Sequence, residues 1–104
     1  MFARHVSFRL KPNVLSEYSL ALRNEIVPLL RKQKGFKDEI VLSNPDSLDF
    51  VGITLWERQA DAEAYNENVY PSVVEIVQGM LDGTPTVETF VVVTSQLLSV
   101  AQVA

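Results

Sequence analysis

KDEIVLSNPDSLDFVGITLWE, residues 37–57, holds two apolar, β-branched runs around Asn44-Pro45-Asp46-Ser47. Asparagine and aspartate bond their own backbone, serine does so more weakly, and proline presets φ, so these four residues specify a turn. The spacing predicts a hairpin with strands over 37–43 and 49–57. In the second strand Val51, Ile53 and Leu55 alternate with Phe50, Gly52, Thr54 and Trp56, so both sides are apolar. An antiparallel sheet with one face in water would be polar there. Both faces of this one call for cover.

Upstream of the hairpin, Gly35 closes a helix predicted over 14–34, in which Leu15, Tyr18, Leu22, Ile26 and Leu29 recur at three and four. Glu17 near its start and Arg31, Lys32 and Lys34 near its end suit the helix dipole. Pro28 removes a backbone donor inside it and predicts a kink or a break into two pieces. Before the Lys11-Pro12-Asn13 turn, residues 2–10 read as a strand with Val6, Phe8 and Leu10 on one side and Ala3, His5, Ser7 and Arg9 on the other. Downstream, 59–66 is a short Ala-rich helix, and 70–81 repeats the helical period with Pro71 in its first turn and Gly79 and Gly83 ending it. A strand over 86–94 follows the Thr84-Pro85 break, and 96–104 is a tail without a clear period.

The order is βαββαβ: an α+β, ferredoxin-like plan with a four-stranded antiparallel sheet and two helices on one face, over a single domain spanning 1–104. The bare face would expose a large apolar patch, so a second copy is expected to pack its sheet against it, giving a homodimer. A chain of 104 residues with 47% hydrophobic and 21% charged residues has one core and is not a disordered tail. Its longest apolar runs are four residues, as in 90–93, so no membrane span is expected. No basic start precedes an apolar stretch, which makes the cytoplasm the expected location. The absence of cysteine excludes disulfides and thiolate chemistry, and a net charge of −4 argues against nucleic acid. One histidine cannot build an ordinary protein metal site, so no metal is expected.

Three stretches resemble the antibiotic biosynthesis monooxygenase family of the dimeric α+β barrel superfamily: RHVSFRLKP from Arg4, IVPLLRKQKGFKDEIVL from Ile26 and LWERQADAEAY from Leu55. The opening HVSFRLKP is also similar to the stress-responsive A/B barrel relatives. The resemblance implies the barrel dimer, and it implies a reaction drawn from a family of cofactor-free oxygenases of aromatic polyketides, haem-degrading enzymes and members without known activity. In the haem-degrading branch the first strand supplies a polar residue, the third a tryptophan and the second helix a haem-ligating histidine. His5 and Trp56 fall at the first two positions, but residues 70–81 contain no histidine, which argues against haem and leaves no cofactor expected.

His5 is accordingly a candidate general base or a donor orienting a phenol, with Ser7 two residues on. Its bland alternative is a barrel-lining histidine bonded to backbone or water. Trp56 offers a flat wall for an aromatic ligand and is equally at home in a core. Phe50, Thr54, Tyr65 and Phe90 are further candidate lining, whereas Tyr18 and Tyr70 suit helix packing. Arg4 and Arg9 could meet an acidic ligand or be solvated or paired with a dimer partner, and Asp38-Glu39 reads as a solvated strand start. Two functions fit: a cofactor-independent monooxygenase acting on a small aromatic or apolar substrate, or a non-catalytic dimeric module, similar to the stress-responsive A/B barrels, that binds a small apolar ligand or only stabilises an assembly. In either, His5 and Trp56 are expected to border one cavity.

Overall fold

In the computed structural model, which describes residues 1–95, β1 (Phe2–Arg9) occupies the interior of a four-stranded antiparallel sheet ordered β2-β3-β1-β4. The hairpin expected from the Asn-Pro-Asp-Ser turn is present as β2 (Phe36–Ser43) and β3 (Asp49–Trp56). Asn44 Oδ1 accepts the Asp46 amide at 3.0 Å, and Ser47 Oγ accepts the Asp49 amide at 3.1 Å, the local bonds that make these residues turn formers. β4 (Thr86–Val91) pairs with the other side of β1 and ends three residues before the predicted limit. The tail over 96–104 lies outside the described residues.

The helices lie on one face. The predicted first helix runs from Leu15 to Arg31 in three parts: α1 (Leu15–Ala21), a π turn (Leu22–Ile26) and α2 (Val27–Arg31). The Val27 amide reaches back to the Leu22 carbonyl, five residues away, so the ladder widens just before Pro28, whose nitrogen has no hydrogen to donate. The kink expected at Pro28 is thus realised as a π turn on its N-terminal side. Residues 32–34 leave the helix because the Lys32 and Gln33 amides tighten onto Leu29 and Leu30, and Gly35 then turns the chain at φ 78°. α3 (Gln59–Asn68) and α4 (Tyr70–Val77) follow β3, and a single 3₁₀ turn (Gln78–Met80) replaces the end of the predicted last helix. Among the described residues no helix is long and apolar enough to cross a membrane.

Register assigns every strand residue to a face. Phe2 pairs with Trp56, Arg4 with Thr54, Val6 with Gly52 and Phe8 with Phe50, and these side chains share the helix side with the core, where Trp56 and Leu30 are wholly buried. The open side carries Ala3, His5 and Ser7, with Ile53 and Leu55 from β3, Ile40 and Leu42 from β2, and Phe90 and Glu88 from β4. Ile40 is 44% exposed, and Leu42 and Phe90 are each 51% exposed. In this chain alone the open side is therefore the apolar surface that the alternation in 49–57 foretold.

Candidate functional site

Four residues on different strands fall in one row across the helix side of the sheet. Glu39 of β2 pairs with Thr54 of β3, Thr54 with Arg4 of β1, and Arg4 with Thr89 of β4. Above the row, between sheet and helices, is a cavity of about 70 Å³ lined by Glu39, Thr54 and Arg4. Tyr18 of α1, Tyr65 of α3 and Tyr70 of α4 border the same space. Aliphatic side chains close the rest, among them Val41, Leu22 and Ile26; the last two are the first and last residues of the π turn.

Glu39 faces this space because β2 is irregular. The register shifts between Phe36 and Asp38, so one extra residue resets the alternation and Phe36, Glu39 and Val41 all turn towards the helices. Burial and then the nearby Asp38 charge push the Glu39 carboxyl up to about 7. Burial also raises the hydroxyls of Tyr18, Tyr65 and Tyr70, so all three remain neutral at pH 7. Arg4 is only 2% exposed; its Nη2 donates to Asn66 Oδ1 at 2.8 Å, and its guanidinium carbon lies 5.0 Å from the Tyr65 ring centre and 4.4 Å from that of Tyr70. Burial lowers the Arg4 pKa while the two tyrosines oppose the shift, and a guanidinium stays charged throughout the working range. The cavity therefore offers a carboxyl that titrates near neutrality at one end and a fixed cation at the other.

Of the residues singled out from the sequence, Thr54 and Tyr65 line the cavity. His5 and Trp56 do not share it, because the pairing of Phe2 with Trp56 and of His5 with Ile53 sends them to opposite faces. His5, Ser7 and Phe90 belong to the open side, where the His5 ring meets Phe90 edge-on at 6.1 Å and His5 Nδ1 is buried without a hydrogen-bond partner among the described residues. Trp56 lies wholly buried between Phe36 and Tyr65, with ring centres 5.6 and 5.0 Å away. It touches the site indirectly, since its Nε1–H donates to Thr54 Oγ1 at 2.9 Å and so fixes which way that hydroxyl can donate. Phe50 stacks on Phe8 at 5.6 Å beneath Tyr18, in the core.

Glu39, expected to be solvated, and Arg4, expected at a strand end in solvent or against a partner, are the charged residues of the site. Arg9 does behave as a surface cation, pairing with Asp49 at 3.0 Å. Trp56→Phe is expected to keep the fold at a cost of about 1–3 kcal/mol for the void it opens. Thermal melting measures that cost. The freed Thr54 hydroxyl should also change the cavity's ligand affinity, which calorimetry reads.

No family model and no curated protein matches the sequence. Solved structures do. A structure described as an antibiotic biosynthesis monooxygenase is 18% identical, with 90% of this chain and 100% of that chain covered at a TM-score of 0.71. SnoaB, a cofactor-independent oxygenase from Streptomyces nogalater, is 14% identical over 91% of this chain and 95% of its own, with a TM-score of 0.72. The monooxygenase from the gene ActVA-Orf6 of Streptomyces coelicolor, in complex with nanaomycin D, is 17% identical over 90% of this chain and 88% of its own, with a TM-score of 0.69. The chain has the ferredoxin-like α+β fold of these proteins.

Proposed function

We propose that the chain is a cofactor-independent monooxygenase whose substrate is a small aromatic or apolar compound with a weakly acidic C–H or O–H, and that Glu39 is its base. One observation carries this reading: a carboxyl held near pH 7 at the edge of a cavity walled mainly by aliphatic and aromatic side chains, the condition under which a side chain both takes and returns a proton efficiently. His5, on the other face, is replaced in that role.

In the proposed reaction Glu39 removes a proton from an activated methylene. The resulting carbanion gives one electron to dioxygen, and the radical pair joins to a hydroperoxide after protonation by Glu39. Loss of water leaves a carbonyl, so the sum is CH₂ + O₂ → C=O + H₂O. The neutral tyrosine hydroxyls and Thr54 can orient the anion, and the aliphatic walls keep water from it. Oxygen uptake with a panel of single-ring benzylic ketones, phenols and quinols tests the reading, and uptake is expected to need Glu39. Ligand binding without any oxygen uptake would favour the non-catalytic module instead.

A homodimer formed through the open side belongs to the same proposal, with Ile40, Leu42 and Phe90 in its interface. Light scattering should give about twice the chain mass of 11.7 kDa. Leu42→Glu should shift it towards one copy, because the new carboxylate would have to lose its water. A wild-type protein that stays at one chain mass at all concentrations would refute the dimer.

A further inference from the structure

A buried cation is stabilised by a counter-charge, and Arg4 pairs with none among the described residues. The sequence has 13 acidic residues, yet among the described residues the ion pairs are Arg9 with Asp49 and Lys37 with Glu57, both at the surface. The 2% exposed guanidinium is instead held by neutral partners, the Asn66 Oδ1 oxygen and the Tyr70 hydroxyl, and by the faces of Tyr65 and Tyr70. Ring faces offset part of the desolvation of a cation, but they use none of its N–H donors. A guanidinium has five N–H donors, so the bonds to Asn66 and Tyr70 leave three for a ligand.

We infer that the cavity takes an aromatic ligand that also bears a carboxylate, and that this carboxylate is recognised by the Arg4 guanidinium at the end away from Glu39. The inference rests on the reading above that this cavity is the working site. Arg4 also borders a second cleft, of about 230 Å³, with Gln59, Glu63 and Thr89. The Glu63 carboxylate there would repel an anion, whereas neutral tyrosines and Thr54 surround Arg4 on the cavity side.

The register sets the ligand's length. Glu39 and Arg4 flank Thr54 on adjacent strands, so their backbones are two strand spacings apart, roughly 9.5 Å. Allowing for both side chains, the acidic proton and the carboxylate of a ligand reaching both would be about one ring and a short arm apart. The small cavity volume points the same way, to a single ring. Guanidinium and carboxylate also match as two parallel N–H···O bonds, which a lysine at the same place could not supply.

The test uses two isosteric probes on the full chain, 4-hydroxyphenylacetate and 4-hydroxyphenylacetamide, by titration calorimetry at pH 6, where Glu39 is largely protonated and does not repel the acid. The acid is expected to bind about tenfold or more tightly than the amide, in keeping with a charge-assisted hydrogen bond. In Arg4→Gln that preference should fall to about twofold or less while the amide still binds, and Arg4→Lys should recover part of it. Equal affinities in the wild type, or a preference that survives Arg4→Gln, would overturn the inference and leave the cavity reading standing. If neither probe binds, the inference falls, and oxygen uptake with the uncharged panel decides the cavity reading separately. The wild-type comparison decides the matter even if the variants do not fold.

Discussion

Glu39→Gln is expected to make the protein more stable at pH 8 and to remove its activity. The folded carboxyl binds its proton more tightly than the unfolded one, with a pKa of about 7 against 4.5. Between those values the folded state carries the extra proton, so wild-type stability falls as pH rises from about 4.5 to 7 and is flat above. A pKa difference of this size, discounted because the side chain keeps some access to water, corresponds to about 1–2 kcal/mol. Glutamine has no charge to desolvate. Its melting temperature should therefore exceed that of the wild type at pH 8 by about 5–10 °C, and the two curves should converge at pH 4. Turnover should fall by about 100-fold or more if Glu39 is the base. A variant less stable than the wild type at pH 8 would contradict the raised pKa. One that is more stable but fully active would leave the pKa intact and reassign the base.

Gly35→Ala should produce the largest loss of stability of any single methyl group. Gly35 sits at φ 78°, which costs an L-residue about 1–2 kcal/mol. A Cβ there would also meet the Asp61 carboxylate and lie 2.8 Å from Asp61 Cβ, so α3 itself would have to move. Adding the cost of overpacking brings the expected loss to about 2–4 kcal/mol, roughly 10–25 °C in melting temperature. Gly79→Ala is the control: nothing lies within 4 Å of its Cβ position, and it should melt within a few degrees of the wild type. If both alanines behave alike, the close approach of α3 to the Gly35 turn is wrong.

How much of this was legible in the sequence differs by level. Element order followed from periodicity, and the hairpin and the Gly35 stop followed from residues with strong backbone preferences. Pro28 marked the right place for an irregularity, but a missing donor is compatible with a kink, a break or a widened turn, and only the bond from Val27 to Leu22 shows which it is. The site was read less well, because it depends on register. Alternation showed that His5 and Trp56 each faced some side of the sheet, and only the pairing of Phe2 with Trp56 shows that the sides differ. Glu39 was hidden by the shift between Phe36 and Asp38, since a strict period of two started at Phe36 points it outwards. Arg4 looked like a strand-end charge, and nothing near it in sequence announces that Tyr65, Asn66 and Tyr70 will enclose it. Thr54 and Tyr65 were legible because the core side of such a sheet is also the wall of its cavity, and both line it.

The strand order also governs how the molecule is made. β1 is synthesised first, but both of its neighbours come later, at residues 49–56 and 86–91. An emerging chain can close the local β2–β3 hairpin early, while the long loops joining β1 to β3 and β4 carry an entropic cost that only later contacts repay. The polar row needs residues 4, 39, 54 and 89 in register, so it is completed only when the last strand docks. A ligand that bridges Glu39 and Arg4 would bind nascent or partly folded chains poorly, and its presence in the cell would favour the finished protein over its precursors.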